Sequence, residues 1–274
     1  MKRSDAARQL LAAGIENGRG EARMIFDALA ALPCPASETD PESGSLGIDD
    51  ARLADVLRRR CAHEPLQYLL GECWFYRERY EVTPDCLIPR ADTEVLVEYA
   101  VKHLPRGARF LDLCTGSGCI AVSTLAARPD LSAVALDKSE AALAVAKRNA
   151  DRIGVGDRLT FLCGDALAYR PDIPFDALLS NPPYITGEEM KQLSPEVRCE
   201  PAMALYGGED GLDFYTAFCK NLSFYIYKSG FCAFEIGCSQ GAALRRLAEE
   251  AGMTCEILPD LCGRDRVAIL RHPE

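Results

Sequence analysis

Apolar residues follow two different rhythms along this chain, and the change of rhythm divides it. Over residues 4–32, Leu10, Leu11, Ile15, Met24, Ile25, Phe26 and Leu29 stand among charges at helical spacing. Leu53, Val56 and Leu57 repeat that spacing over 48–63, so both stretches predict amphipathic helices. Between them "PCPASETDPESGSLG" (33–47) is rich in Pro, Ser and Gly and predicts a loop. Arg58, Arg59 and Arg60 close the later helix, where cations suit the helix dipole, and are expected as a solvated terminus.

From about Arg109 the rhythm shortens. "RFLDL", "LSAVALD", "LTFLC", "FDALLS" and "GFCAFEIG" are strand-length apolar runs, and helical patterns such as "SEAALAVAKRNADRIG" and "SQGAALRRLAEEAG" lie between them. Strands alternating with helices predict an α/β fold, a mostly parallel sheet covered on both faces. The last two runs, "TCEILPD" and "DRVAILR", are joined by a turn too short for a crossover helix, so they predict an antiparallel C-terminal hairpin. The expected organisation is a small helical domain over 1–75, a linker over 76–90 with room for a β-hairpin, and an α/β domain over 91–274.

Composition removes several function classes. The chain has 274 residues, 48% of them hydrophobic, which suits one large domain beside a smaller one. Its apolar runs fall well short of the ~20 residues that span a bilayer, so no membrane span is expected. The N-terminal stretch, broken by Arg8 and Glu16, makes a poor secretory signal. A net charge of −10 carries no global footprint for a polyanion. Thirteen cysteines are many, but there is no CxxC and only three histidines. Neither a metal site nor a disulfide framework is readable, and buried or half-buried free thiols in a reducing cytoplasm are expected.

The candidate chemistry starts at "FLDLCTGSGCIA" (110–121), a strand that runs into a glycine turn and opens a helix. Gly116 and Gly118 let backbone approach a ligand, and the helix N-terminus presents unpaired N–H groups. With Asp137 about 20 residues on, Gly116-x-Gly118-x-x-Ala121 also satisfies a dinucleotide fingerprint. Asp112, Asp137, Asp165 and Asn181 all fall at or just beyond strand ends, where ligands of open α/β sheets sit. A nicotinamide enzyme would want a proton-transfer group there, and none of His63, His103 or His272 lies near these ends. S-adenosylmethionine fits the parts: an acid near the loop for its amino-acid end, Asp137 for the ribose hydroxyls, Asp165 near the adenine. The stretch "DALLSNPPYITGEEM" (176–190) then stops a strand with Asn181, two prolines that cannot continue a central strand, and a phenol.

"LDLCTGSG", "ALD", "GD" and "LLSNPPYI" together resemble class I S-adenosylmethionine-dependent methyltransferases. Within that class the chain resembles the release factor glutamine methyltransferases, the HemK family, over nearly its whole length. "PLQYLLGECWFY" (65–76), "LIPRADTEVLVE" (87–98), "EPAMALYGGEDGLDFY" (200–215), "EIGCSQG" (235–241) and "DLCGRDRVAIL" (260–270) carry that narrower likeness. Asn-Pro-Pro-Tyr alone is shared with amino-methylases of DNA and RNA bases, which remain the alternative, beside a cofactor-binding scaffold without catalysis.

The resemblance implies a Rossmann-like methyltransferase sheet, S-adenosylmethionine as donor, S-adenosylhomocysteine as product, and no metal. It assigns the cofactor to Asp112, Cys114, Thr115, Gly116, Ser117, Gly118, Asp137, Asp165, Ala166 and Asn181. It assigns catalysis to Asn181, Pro182 and Tyr184, and substrate binding to Asn181, Pro182, Pro183 and Tyr184. The implied substrate is the glutamine of the Gly-Gly-Gln motif in a peptide-chain release factor, held by the helical domain. A cytoplasmic monomer with no membrane or direct nucleic-acid partner is expected.

A carboxamide nitrogen is a poor nucleophile because its lone pair is delocalised into the carbonyl. As it attacks a sulfonium methyl, positive charge builds on its N–H groups, so fixed acceptors there favour the transition state. The Asn181 side-chain carbonyl and the Pro182 backbone carbonyl suit that task, Tyr184 is expected to pack on the planar amide, and no strong base is required. "IPRADTE" is expected over the cofactor. "EPAMALYGGEDG", with Gly207, Gly208 and Gly211, is expected as a flexible loop walling the glutamine pocket. Two departures from the family pattern stand out. Cys114 replaces a usual Gly, placing a Cβ where cofactor approaches and lowering expected affinity, and Ala91-Asp92 replaces a usual Pro-Glu.

Overall fold

The computed structural model describes residues 1–31 and 48–273, so the loop expected over 33–47 lies outside the described residues. It contains two compact units: Met1–Gly71 with Ser194–Cys199, and Glu72–Leu193 with Glu200–Glu274.

The first unit is helical: α1 (Arg3–Ala12), α2 (Gly18–Ala30), α3 (Asp50–Cys61) and α4 (Leu66–Leu70). Asp49 starts α3 by accepting the Ala51 N–H at 2.9 Å, which satisfies one orphan donor of the first turn. Leu10, Ile25, Leu53 and Leu57 meet in its core, each side chain contributing about 1.5–3 kcal/mol when removed from water. The basic triplet differs from expectation. Arg58 is exposed, but Arg60 is 4% exposed and donates from Nε to Glu21 at 2.6 Å and from Nη2 to Glu196 at 2.7 Å. A guanidinium buries its charge when carboxylates meet its planar fork, and Glu21 supplies both oxygens.

The second unit begins with β1 (Glu72–Phe75) and β2 (Glu78–Glu81), an antiparallel hairpin. Residues 72–75, expected in the helical domain, and the hairpin, expected within a linker, therefore belong here. The cause is burial: Phe75 and Tyr80 enter this unit's core, and the Tyr80 hydroxyl lies 2.6 Å from Ser123 Oγ. Next come α5 (Glu94–His103), β3 (Arg109–Leu113), α6 (Cys119–Ala127), β4 (Ser132–Asp137), α7 (Glu140–Ile153), β5 (Leu159–Cys163) and β6 (Phe175–Ser180). The chain continues through α8 (Gly187–Met190), α9 (Asp213–Lys220), α10 (Leu222–Tyr225), β7 (Ile226–Glu235), α11 (Gly241–Glu250), β8 (Thr254–Pro259) and β9 (Asp265–Arg271).

Seven strands form one sheet in the order β5-β4-β3-β6-β7-β9-β8. Neighbours are parallel from β5 through β7, and β9 runs antiparallel to both β7 and β8. One face packs on Leu96, Val97, Ile120 and Leu125, the other on Tyr215, Phe218, Leu222 and Leu244. Strands covered on both faces must be apolar at nearly every position, which is why they read as continuous runs. The described cysteines are free thiols; Cys86, Cys119, Cys219 and Cys232 are buried, whereas Cys163, Cys199, Cys238 and Cys262 are exposed, against expectation.

Candidate active site

Strand order reverses between β3 and β6, where an open α/β sheet leaves a crevice beyond its strand ends. Register brings the chemistry to one level. Leu113 pairs with Leu136 on one side and Ser180 on the other, so Cys114, Asp137 and Asn181 leave their strands side by side. The Ser180 hydroxyl donates to the Leu113 carbonyl at 2.6 Å and fastens two of those ends. A cavity of about 770 Å³ opens there, lined by Cys114, Gly116, Asp137, Asp165, Ala166, Asn181 and Pro183 among others.

On the glycine-loop side, two backbone donors fix Asp137. Gly116 N–H reaches its Oδ2 at 2.8 Å and Ser139 N–H its Oδ1 at 2.9 Å. Burial nevertheless pushes its pKa up. Gly116 has φ +55°, and a Cβ there would point into open space, so this glycine leaves room for a ligand. At Gly118 a Cβ would lie 3.0 Å from Ala146 Cβ, so that glycine serves packing of α7. Asp165 is ion-paired to Lys138 at 2.9 Å, which holds its carboxyl below the usual range.

Asp112 is fully buried behind the loop. Its Oδ2 accepts the Thr115 hydroxyl at 2.6 Å and Ala121 N–H at 3.3 Å, while Oδ1 has no partner. Burial pushes its pKa up to about 7. Thr115, Ser117 and Gly118, like Asp112, are absent from the cavity wall, although all four were expected at the cofactor.

Cys114 does reach the cavity, in the left-handed region at φ +60°, where a Cβ costs about 1–2 kcal/mol. Burial, with Asp137 and Asp112 nearby, holds its thiol well above the usual value and therefore protonated. A protonated thiol is a weak nucleophile toward a methyl donor.

The other side is built around Asn181, half-buried at the exit of β6. Its Nδ2 donates to Thr93 Oγ1 at 3.4 Å, and the Thr93 hydroxyl donates to Glu235 Oε2 at 2.5 Å. The Tyr184 hydroxyl donates to Glu235 Oε1 at 3.3 Å. Tyr184, expected against the substrate amide, is thus turned to a carboxylate, and like Pro182 it is not part of the cavity wall. A mostly buried phenol needs a partner for its hydroxyl, and Glu235 supplies one.

The glycines after the motif also differ from expectation. A Cβ on Gly207 would sit 2.5 Å from the Pro183 carbonyl, and one on Gly211 2.3 Å from the Tyr184 carbonyl. They permit close backbone contact instead of supplying flexibility. Gln240 Nε2 ties the contact by donating to Tyr184 O at 3.2 Å and Gly211 O at 3.1 Å. Pro201, Met203, Tyr206 and Glu209 of the same segment do wall the cavity.

"IPRADTE" does not cover the cavity; the preceding Asp85, Cys86 and Leu87 do. Arg90 pairs with buried Glu200, and Thr93 stands behind Asn181. Sequence reasoning missed Glu235, Thr93's contact with Asn181, and the cavity residues Asp85, Leu87, Ser139 and Met190. The rule of polar groups at strand ends, carried one strand further, finds Glu235: Phe234 pairs with Ser180, so Glu235 leaves β7 level with Asn181.

The open space over Gly116 and the fixed Asp137 carboxyl, both on the cavity wall, fit a ligand that carries ribose hydroxyls. Comparison with known proteins narrows the reading. Residues 91–202 match the family model described as Methyltransferase small domain, and residues 3–71 that described as PrmC N-terminal domain. A release factor glutamine methyltransferase of Cereibacter sphaeroides is 41% identical over 286 residues, spanning 100% of this chain and 99% of that protein. One of Moorella thermoacetica is 39% identical over 266 residues, spanning 96% and 94%. A crystal structure of a ribosomal protein L11 methylase from Lactobacillus delbrueckii subsp. bulgaricus has TM-score 0.52 at 17% identity, over 70% of this chain and 84% of that one. That last likeness concerns the fold alone.

Proposed function

This chain belongs to the release factor glutamine methyltransferases, and from that premise we propose that it methylates the side-chain amide nitrogen of the Gly-Gly-Gln glutamine in peptide-chain release factors, with S-adenosylmethionine as donor. The observation that carries the reading is Asn181, which opens onto the same cavity as the glycine loop and Asp137. When bound, the donor supplies an electrophilic methyl group on a sulfonium.

The residues around it divide the work. Asp137, held by two backbone donors, takes the ribose hydroxyls, and Gly116 leaves space for the cofactor's approach. Asp112, behind the loop, fastens the Thr115 hydroxyl and the Ala121 N–H and so holds the turn assigned to the amino-acid end. Asn181 Oδ1 and the Pro182 carbonyl accept from the two amide hydrogens of glutamine, turning its lone pair toward the methyl. Each fixed acceptor is worth about 2.7–4 kcal/mol by analogy with single oxyanion-hole donors. The proton lost after transfer passes to solvent.

The helical unit is assigned to holding the release factor, and the cytoplasm, where that substrate works, is the assigned compartment. Among the described residues no helix is long and apolar enough to cross a membrane. The amino-methylase alternative is not favoured by relatives matched over the whole chain. Incubation with labelled S-adenosylmethionine and a purified release factor, followed by mass mapping, tests the assignment. Label on the glutamine of Gly-Gly-Gln is expected; label elsewhere, or none, would refute it.

A further inference from the structure

The two polar members of Asn-Pro-Pro-Tyr hang on one buried carboxylate. Thr93 Oγ1 reaches Glu235 Oε2 at 2.5 Å and Tyr184 Oη reaches Oε1 at 3.3 Å, while Asn181 Nδ2 reaches Thr93 at 3.4 Å. Glu235 is 1% exposed, and Tyr215 donates to its backbone carbonyl at 2.7 Å, which holds the end of β7 in place. Arg266 lies in the same buried region, bonded to Asp260 at 3.3 Å and Asp92 at 3.2 Å.

Both hydroxyls donate to Glu235, Thr93 to one carboxyl oxygen and Tyr184 to the other, although burial pushes the Glu235 pKa up. A hydroxyl has one O–H, so with that proton on Glu235 the remaining lone pairs of Thr93 accept from a neighbour. That neighbour is Asn181, whose NH₂ end is drawn to Thr93. Its carbonyl end is left for the cavity, the orientation the methyl acceptor requires.

We propose that Glu235, acting through Thr93, is the positioning residue that sets which end of the Asn181 amide faces the methyl acceptor. The inference deepens the reading of the site given above and rests on it. Glu235 and Thr93 both stand off the cavity wall. Glu235→Gln offers an N–H to Thr93, frees the Thr93 hydroxyl to donate to Asn181, and so favours the amide with its NH₂ toward the cavity. Thr93→Val keeps the shape and removes the relay; Thr93→Ser keeps the relay.

The test uses the full chain with a release factor and S-adenosylmethionine. Glu235→Gln and Thr93→Val are expected to lower kcat by roughly tenfold to a hundredfold, the scale on which misplacing a reacting group by about 1 Å acts. The dissociation constant for the donor and KM for the release factor should hold, and Thr93→Ser should restore turnover. The side-chain NH₂ resonances of Asn181 in the donor complex should move in Thr93→Val and stay in Thr93→Ser, a readout independent of activity. Unchanged kcat and unchanged resonances in both Glu235→Gln and Thr93→Val would overturn the proposal, as would a loss of kcat that Thr93→Ser fails to repair. A wild-type chain that leaves the release factor unmodified, with the Asn181 resonances still moving in Thr93→Val and staying in Thr93→Ser, would refute the assigned reaction and leave the positioning role standing.

Discussion

The two walls of the cavity are held in opposite ways. On the donor side the fastening contacts are local: Asp112 to Thr115 spans 3 residues, Asp137 to Ser139 spans 2, and Gly116 to Asp137 spans 21. On the acceptor side they are long-range: Asn181 to Thr93 spans 88 residues, Tyr184 to Glu235 spans 51, and Thr93 to Glu235 spans 142. A donor site built from one turn and the next strand end is complete once two βα units have folded. The acceptor site exists only when segments from both ends of the unit have met around β6. Binding and chemistry should therefore be separable by mutation.

The strongest break of that separation comes from Asn181→Ala. Turnover should fall by roughly 10²–10³ with donor affinity nearly intact, since one fixed acceptor is lost from the transition state. Single-turnover kinetics beside calorimetric titration of the donor would show it; a parallel loss of donor affinity would merge the two walls.

Asp112 probes the donor side through pH. Its carboxyl, raised from 3.8 to about 7, binds more protons folded than unfolded across that interval. Stability from this group is therefore lost as pH rises toward about 7 and is flat above it. Asp112→Asn cannot titrate, so its stability relative to wild type should grow by on the order of 3 kcal/mol between about pH 5 and about pH 8. Urea unfolding at the two pH values checks this, and a constant difference would contradict it.

Asp137→Asn should weaken the donor by roughly tenfold to a hundredfold, the range of hydrogen bonds to a charged group worth about 1.5–3 kcal/mol. Its kcat at saturating donor should stay near wild type, which sharpens the contrast with Asn181→Ala.

The smallest effect belongs to Cys114→Gly. Relief of about 1–2 kcal/mol of left-handed strain is offset by about 0.5–1 kcal/mol of added chain entropy in the unfolded state. A shift in stability below about 1 kcal/mol is expected, with tighter donor binding because the Cβ is gone from the cavity wall. Thermal unfolding with and without donor measures both.

The same contrast explains what was legible in the sequence. Strand runs, the glycine turn and the strand-end acids are local patterns, so the α/β sheet, the C-terminal antiparallel pair and the position of Asp137 could be read directly. Arg60 could not, because nothing near it in sequence shows that Glu21 comes to meet it. The partner of the Tyr184 hydroxyl was hidden for a similar reason: Glu235 stands on a strand that sequence alone does not place beside β6. Gly207 and Gly211 looked like flexibility because a close backbone approach and a loose loop select the same residue. Glu235 itself was visible as the one carboxylate in "GFCAFEIG", and only the register against β6 gives it a meaning.

A double-mutant cycle on methyl transfer tests the account most directly: single-turnover rate constants for wild type, Asn181→Ala, Glu235→Gln and the pair. If Glu235 acts through Asn181, Glu235→Gln should slow the wild type strongly and the Asn181→Ala chain hardly at all, since coupled residues are not additive. Losses that multiply, with Glu235→Gln slowing both backgrounds equally, would contradict it.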